Sequence, residues 1–114
     1  MKEFVLIFRS DALPEVKLTP EGTMIISEQW QNWIGGIAAQ NKLVARGNRL
    51  GNEGKTVKPN NVIINGPYAE IKEMLGGYTI IRADSIEEAT EIAKGCPILE
   101  VGGNVEVRDI ILMN

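Results

Sequence analysis

Five successive apolar, β-prone residues, Phe4-Val5-Leu6-Ile7-Phe8, make a strand with no polar side. Side chains alternate between the two faces of a sheet, so a strand that is apolar at both parities needs cover above and below. Whatever fold the chain adopts must bury both. Val5, Ile7 and Ile81 are expected on the faces opposite those of Phe4, Leu6 and Ile80.

The rest of the chain supplies the covering elements. Thr19-Pro20-Glu21 offers an N-cap, a proline suited to the first helical position and an acid at the positive helix end. Ile26, Trp30, Trp33, Ile34 and Ile37 then form one apolar helical face through about Gln40. Gly35-Gly36 within that helix implies close backbone approach or a bend. A short strand follows over 43–47, and the segments 55–57 and 61–64 form a hairpin around Pro59-Asn60. Asn65-Gly66-Pro67-Tyr68 breaks the pattern, and Gly76-Gly77 leads into the strand Tyr78-Thr79-Ile80-Ile81. Ser85 and Glu88 have capping-box spacing ahead of a helix with Ile86, Ala89, Ile92 and Ala93 on one face. Lys94 and Gly95 close it. Gly102-Gly103 turns into a last strand over 104–112, where Val105 and Val107 alternate with Glu106 and Arg108. The predicted fold is α+β: a ferredoxin-like βαββαβ unit with an inserted hairpin, its antiparallel sheet carrying both helices on one face. The other face would meet water, and a second copy of the chain is the expected cover, giving a homodimer.

Length and composition narrow the function. A chain of 114 residues with 44% hydrophobic and 24% charged positions fits one domain, 1–114. Twelve Lys and Arg against 15 Asp and Glu, with 5% aromatic residues, supply neither the basic field nor the stacking surface of a nucleic-acid binder. Without histidine, Ser-His-Asp and Cys-His nucleophiles and His-containing metal sites are excluded. The five-residue apolar run is too short for a signal peptide core, and no segment reaches the ~18 residues of a membrane span, so a cytoplasmic protein is expected. Cys96 has no cysteine partner and no histidine to activate it, and reads as a small buried hydrophobe. Gly54-Lys55-Thr56 has the ending of a phosphate-binding loop, but Arg49 stands where its first glycine belongs. No cofactor or metal is expected.

Asn65-Gly66-Pro67-Tyr68-Ala69-Glu70-Ile71-Lys72-Glu73, then Gly76-Gly77-Tyr78, Gly95-Cys96-Pro97 and Val105-Glu106-Val107-Arg108, resemble the DGPF branch of the YCII-related proteins over nearly the whole length. The resemblance implies a dimeric α+β barrel. The branch's tetrapeptide usually begins with aspartate and ends with phenylalanine, where this chain has Asn65 and Tyr68. Relatives in the wider group are associated with a His-Asp pair and lactone or muconolactone processing, which this histidine-free chain cannot reproduce. DGPF proteins also look like companions of alternative sigma factors, which implies a transcription-factor partner as one alternative.

The polar residues that would line an inter-sheet cleft follow from strand parity. With Val105 and Val107 toward the helices, Glu106 and Arg108 point to the other face, and Arg9 extends the parity of Val5 and Ile7. An arginine there suits the carboxylate of a small organic acid, while the plainer reading is an Arg-Glu structural pair. Tyr68 and Tyr78 offer hydroxyls to a ligand, or half-buried rings with satisfied hydroxyls. Glu70, Lys72 and Glu73 form a ligand-contacting loop, with Glu70 or Glu73 as the base of an isomerase- or lyase-like enzyme in one alternative and a solvated charged loop in the other. Trp30 and Trp33 read as core. Binding of a small molecule or protein without catalysis is the leading reading.

Overall fold

The computed structural model describes residues 1–10, 20–51, 53–66 and 74–113. Its elements are β1 (Lys2–Ser10), α1 (Pro20–Ala39), β2 (Leu43–Ala45), β3 (Lys55–Lys58), β4 (Val62–Asn65), β5 (Met74–Ala83), α2 (Ile86–Ala93) and β6 (Asn104–Asp109). Four strands form an antiparallel sheet in the order β2-β5-β1-β6, and β3 pairs with β4 in a separate ribbon. The apolar strand β1 is thus interior to the main sheet, where both edges find hydrogen-bonding partners.

One face of that sheet makes the core. Phe4, Leu6 and Phe8 of β1 and Ile81 and Ala83 of β5 are buried together with Ile37 of α1, Ala89 and Ala93 of α2, and Cys96. Val105 and Val107 pack against this cluster from β6. Each large aliphatic or aromatic side chain so enclosed contributes about 1.5–3 kcal/mol over its exposed state. Trp30 and Trp33 close the core edge-to-face against Phe8, with ring centroids 5.1 and 6.0 Å away, and Trp33 Nε1 donates to the Ile92 carbonyl at 3.0 Å. That indole bond ties α1 to α2.

The register corrects one expectation. Phe4 faces Ile81 and Val5 faces Ile80, so Ile81 belongs to the helix-covered set and Ile80 to the face of Val5 and Ile7. Two adjacent isoleucines cannot reveal their parity until a partner strand sets the register.

Local signals translate into structure with a few further differences. Ser85 Oγ accepts from the Glu88 amide at 3.2 Å and caps α2. The Lys42 ammonium, 2.7 Å from Glu88 Oε1, holds that carboxyl below its usual range and pins α2 beside β2. Ile86, expected on the buried face, is exposed in the first turn of α2. Gly35 and Gly36 are exposed, with nothing within 4 Å of a Cβ built on either, so no other element among the described residues approaches them closely. Strand β5 is longer than the expected 78–81 and includes Gly76 and Gly77, because β1 offers partners as far as Ser10, past a bulge at Phe8/Arg9. Strand β6 ends at Asp109 rather than 112, leaving Ile111 to Met113 exposed.

Beyond β2 the chain runs on along β5. The Tyr78 amide donates to Asn48 O at 3.3 Å and Thr79 Oγ1 donates to Arg46 O at 2.9 Å. Gly47 between them has φ +74°, and a Cβ there would lie 1.8 Å from Tyr78 O. Gly47→Ala is expected to cost about 2 kcal/mol, lowering the thermal midpoint by on the order of 10 °C. Gly51→Ala, where a Cβ meets nothing within 4 Å, should stay within about 0.5 kcal/mol of the parent in the same calorimetric scan.

Candidate functional site

The sheet face turned away from the helices carries the candidate residues. Alternation from Phe4, Leu6 and Phe8 places Glu3, Val5 and Ile7 on this face. Cross-strand pairing then builds rows: Tyr78, Ile7 and Glu106 in one, Ile80, Val5 and Arg108 in the next, and Arg82 opposite Glu3 beyond them. The middle of the face is aliphatic. Val5, Ile7 and Ile80 are half-buried rather than exposed.

Glu106 lies between two arginines. Its Oε1 is 3.4 Å from Arg9 Nε and its Oε2 is 3.5 Å from Arg108 Nη1. The Arg9 contact is diagonal across β1 and β6, and the Arg108 contact joins residues i and i+2 on the same face. Both contacts are long for charge-assisted bonds, and Arg108 is 66% exposed, so Glu106 holds the Arg108 guanidinium loosely. Among the described residues, three arginines, Arg9, Arg82 and Arg108, oppose two glutamates, Glu3 and Glu106, giving these strands one excess positive charge on this face in a chain whose net charge is −3.

Of the residues singled out in the sequence, Arg9, Tyr78, Glu106 and Arg108 therefore meet on one face. Tyr68, Glu70, Lys72 and Glu73 lie outside the described residues. Arg82 was not anticipated. Its Nε is buried with no hydrogen-bonding partner, a costly state for a cationic donor. The alternation Tyr78, Ile80, Arg82 was the available signal, and it needed the register of β5 to be assigned.

Two other features compete for attention. An open groove of about 280 Å³ runs between α1 and α2 beside Trp33, Gly36, Ile92 and Gly95. It contains none of the anticipated site residues. Cys96 is 2% exposed, and burial pushes its thiol up to about 11, against a weaker opposing effect from the Ile98 backbone. No cluster of metal-ligating side chains occurs among the described residues, and no helix among them is long and apolar enough to cross a membrane.

The family model described as YCII-related domain matches residues 17–114. That span takes in α1 and every later element of the main sheet, including β5 with Arg82 and β6 with Arg108, but not β1 with Arg9. No curated protein matches the chain.

Burial of Cys96 has a measurable consequence. The native thiol should resist a disulfide-exchange reagent at pH 8 and react fully after denaturation, as followed by thiolate release. An unfolded thiol ionises near 9.0 while the folded one keeps its proton to about 11, so the unfolded state gains across that interval. The Cys96 contribution to stability should therefore decline as pH rises from about 9 to about 11, and Cys96→Ala should remove that part of the decline.

Proposed function

The chain belongs to the YCII-related family, and we propose that it is a homodimer of the DGPF branch that binds a small organic acid between two facing sheets, without catalysis. The supporting observation is the composition of the open face: an aliphatic centre of Val5, Ile7 and Ile80 ringed by three arginines and two glutamates, with Arg82 Nε desolvated and unpartnered.

The shape of the protomer agrees with an uncovered layer. Its shortest extent is 18 Å against 47 and 44 Å, and its radius of gyration is 15.7 Å where a compact chain of this length would have about 13 Å. One helix layer on one sheet accounts for the thin dimension. A second copy facing the sheet would bury the aliphatic patch at about 25 cal/mol per Å², and a standard interface takes about 800 Å² from each partner. Within the main sheet, the order second, third, first, fourth strand, with helices after the first and third, supports the ferredoxin-like reading and its doubling into an α+β barrel.

A closed hollow of this kind favours an anion. The excess positive charge of each face is doubled on pairing, and shielding from water strengthens it. A carboxylate can accept two parallel N–H bonds from one guanidinium, and the aliphatic floor suits the hydrocarbon part of an organic acid. Arg108, the more exposed partner of Glu106, is free to swing toward the ligand while Arg9 retains the carboxylate.

Sedimentation of the native chain at micromolar concentration should give a dimer. Ile7→Asp, which places a charge at the centre of the face, should give a folded monomer; a native monomer would defeat the proposal. In a thermal-shift series with benzoate, succinate and related acids, at least one should raise the melting midpoint of the native protein. Arg108→Ala should abolish that rise and Arg9→Ala should reduce it, whereas indifference of the native protein to every acid would remove the binding reading.

A further inference from the structure

The two edges of the main sheet are finished differently. Strand β2 is three residues long, its pairing with β5 contains a register shift, and the chain beyond it stays on β5 through the Arg46 and Asn48 carbonyls. Strand β6 forms the other edge, six residues paired with β1 in unbroken register. It carries no proline, lysine or bulge, the features that blunt an open edge. Among the described strands it has a neighbour on one side only.

Hydrogen bonding fixes which groups of β6 point outward. The Ile110 amide donates to Glu3 O at 3.0 Å, so the pairs that exchange main-chain bonds with β1 are those in step with it: Arg108 with Val5, Glu106 with Ile7 and Asn104 with Arg9. Val105, Val107 and Asp109 alternate with these and turn their N–H and C=O groups to the open edge. A second β6 added antiparallel must bring its own outward groups to meet them, which allows registers centred on Glu106, Val107 or Arg108; centres further out keep less of the strand in contact. The side chains choose among these. Centring on Glu106 sets it against the partner's Glu106, and centring on Arg108 sets arginine against arginine, both repulsive. Centring on Val107 sets Glu106 opposite the partner's Arg108 and Arg108 opposite the partner's Glu106. The contact of Arg108 Nη1 with Glu106 Oε2 at 3.5 Å is retained, because the four groups then alternate in sign around a square of which each copy supplies one side. Arg108, 66% exposed, has donors to spare for a second carboxylate.

We propose that β6 of one copy pairs antiparallel with β6 of a second about a twofold axis at Val107, joining two four-stranded sheets edge to edge. Val107 exchanges both main-chain bonds with the partner's Val107, and Val105 does so with the partner's Asp109. The strip is ~20 Å long and one strand wide, well short of the roughly 800 Å² per copy of a stable interface, so it forms near millimolar concentration, above the micromolar range of the sheet-to-sheet contact. It requires neither that contact nor a bound acid.

Sedimentation from micromolar to millimolar concentration is the first test. The mass of the dilute species reports the sheet-to-sheet reading, and its doubling at high concentration reports this one. Glu106→Arg, which opposes arginine to arginine, should abolish the doubling, and adding Arg108→Glu should restore it. Asp109→Pro removes an outward amide but no bond to β1, so it should keep the parent's thermal midpoint in dilute solution and lose the doubling. Register is read by oxidising a concentrated mixture of Glu106→Cys and Arg108→Cys chains; Cys96, 2% exposed, does not compete. Opposite positions stand ~4.5 Å apart at Cα, within disulfide reach, while like positions lie diagonally at ~7–8 Å, so the mixture should give at least tenfold more linked dimer than either variant alone. A mass that does not change with concentration would overturn the proposal. So would doubling or linking that survives Asp109→Pro, failure of Arg108→Glu to restore what Glu106→Arg removes, or variants that link as well alone as in the mixture.

Discussion

Strand β1 demands apolar contact on both of its faces, and the described residues of one chain enclose only one of them. Phe4, Leu6 and Phe8 are enclosed by α1, α2 and the neighbouring strands. Val5 and Ile7, at the alternate positions, are only half-buried, and no helix among the described residues packs on their face. The position of β1 between β5 and β6 makes this unavoidable, because an interior strand cannot rotate away from either layer without losing its hydrogen bonds. The thin protomer and the proposed pairing through the sheet both follow from that one strand.

Polar chemistry is arranged around the same uncovered patch. Arg9, Glu106 and Arg108 meet because β6 lies beside β1 in antiparallel register, which puts Glu106 opposite Ile7 and within diagonal reach of Arg9. On the other side β5 adds Tyr78 and Arg82. Among the described strand residues the result is a cationic surplus on this face of an acidic chain. With no histidine and a thiol that keeps its proton to about 11, neither of the common neutral-pH nucleophile arrangements is available. The described side chains on that face are guanidinium donors beside an aliphatic floor, the arrangement on which the binding proposal rests.

The inserted ribbon is a second place where apolar surface exceeds what the chain covers. Its aliphatic residues are more exposed than those of the sheet face, and among the described strands β3 and β4 pair only with each other. Both surfaces are short of a partner, but they differ in kind. The sheet face is broad, flat and bordered by arginine, while the ribbon is narrow and bordered by lysine.

Much of the layout was legible along the chain because its determinants are local. The capping pair Ser85 and Glu88, the proline opening α1, the helical spacing of Trp30, Trp33 and Ile37, and the alternation of β6 each act over a few residues, and each is realised. The net charge of −3 and the absence of histidine are equally properties of the letters themselves. What needed tertiary structure was every feature set by pairing at a distance. The face of Ile81, the extension of β5 through Gly76 and Gly77, the early end of β6 and the presence of Arg82 at the site all depend on which residue of β1 stands opposite which residue of its neighbours. A run apolar at both parities reads the same in either register, so composition and spacing could show that β1 needed two covers, and only strand pairing could decide which side chains were left for the second.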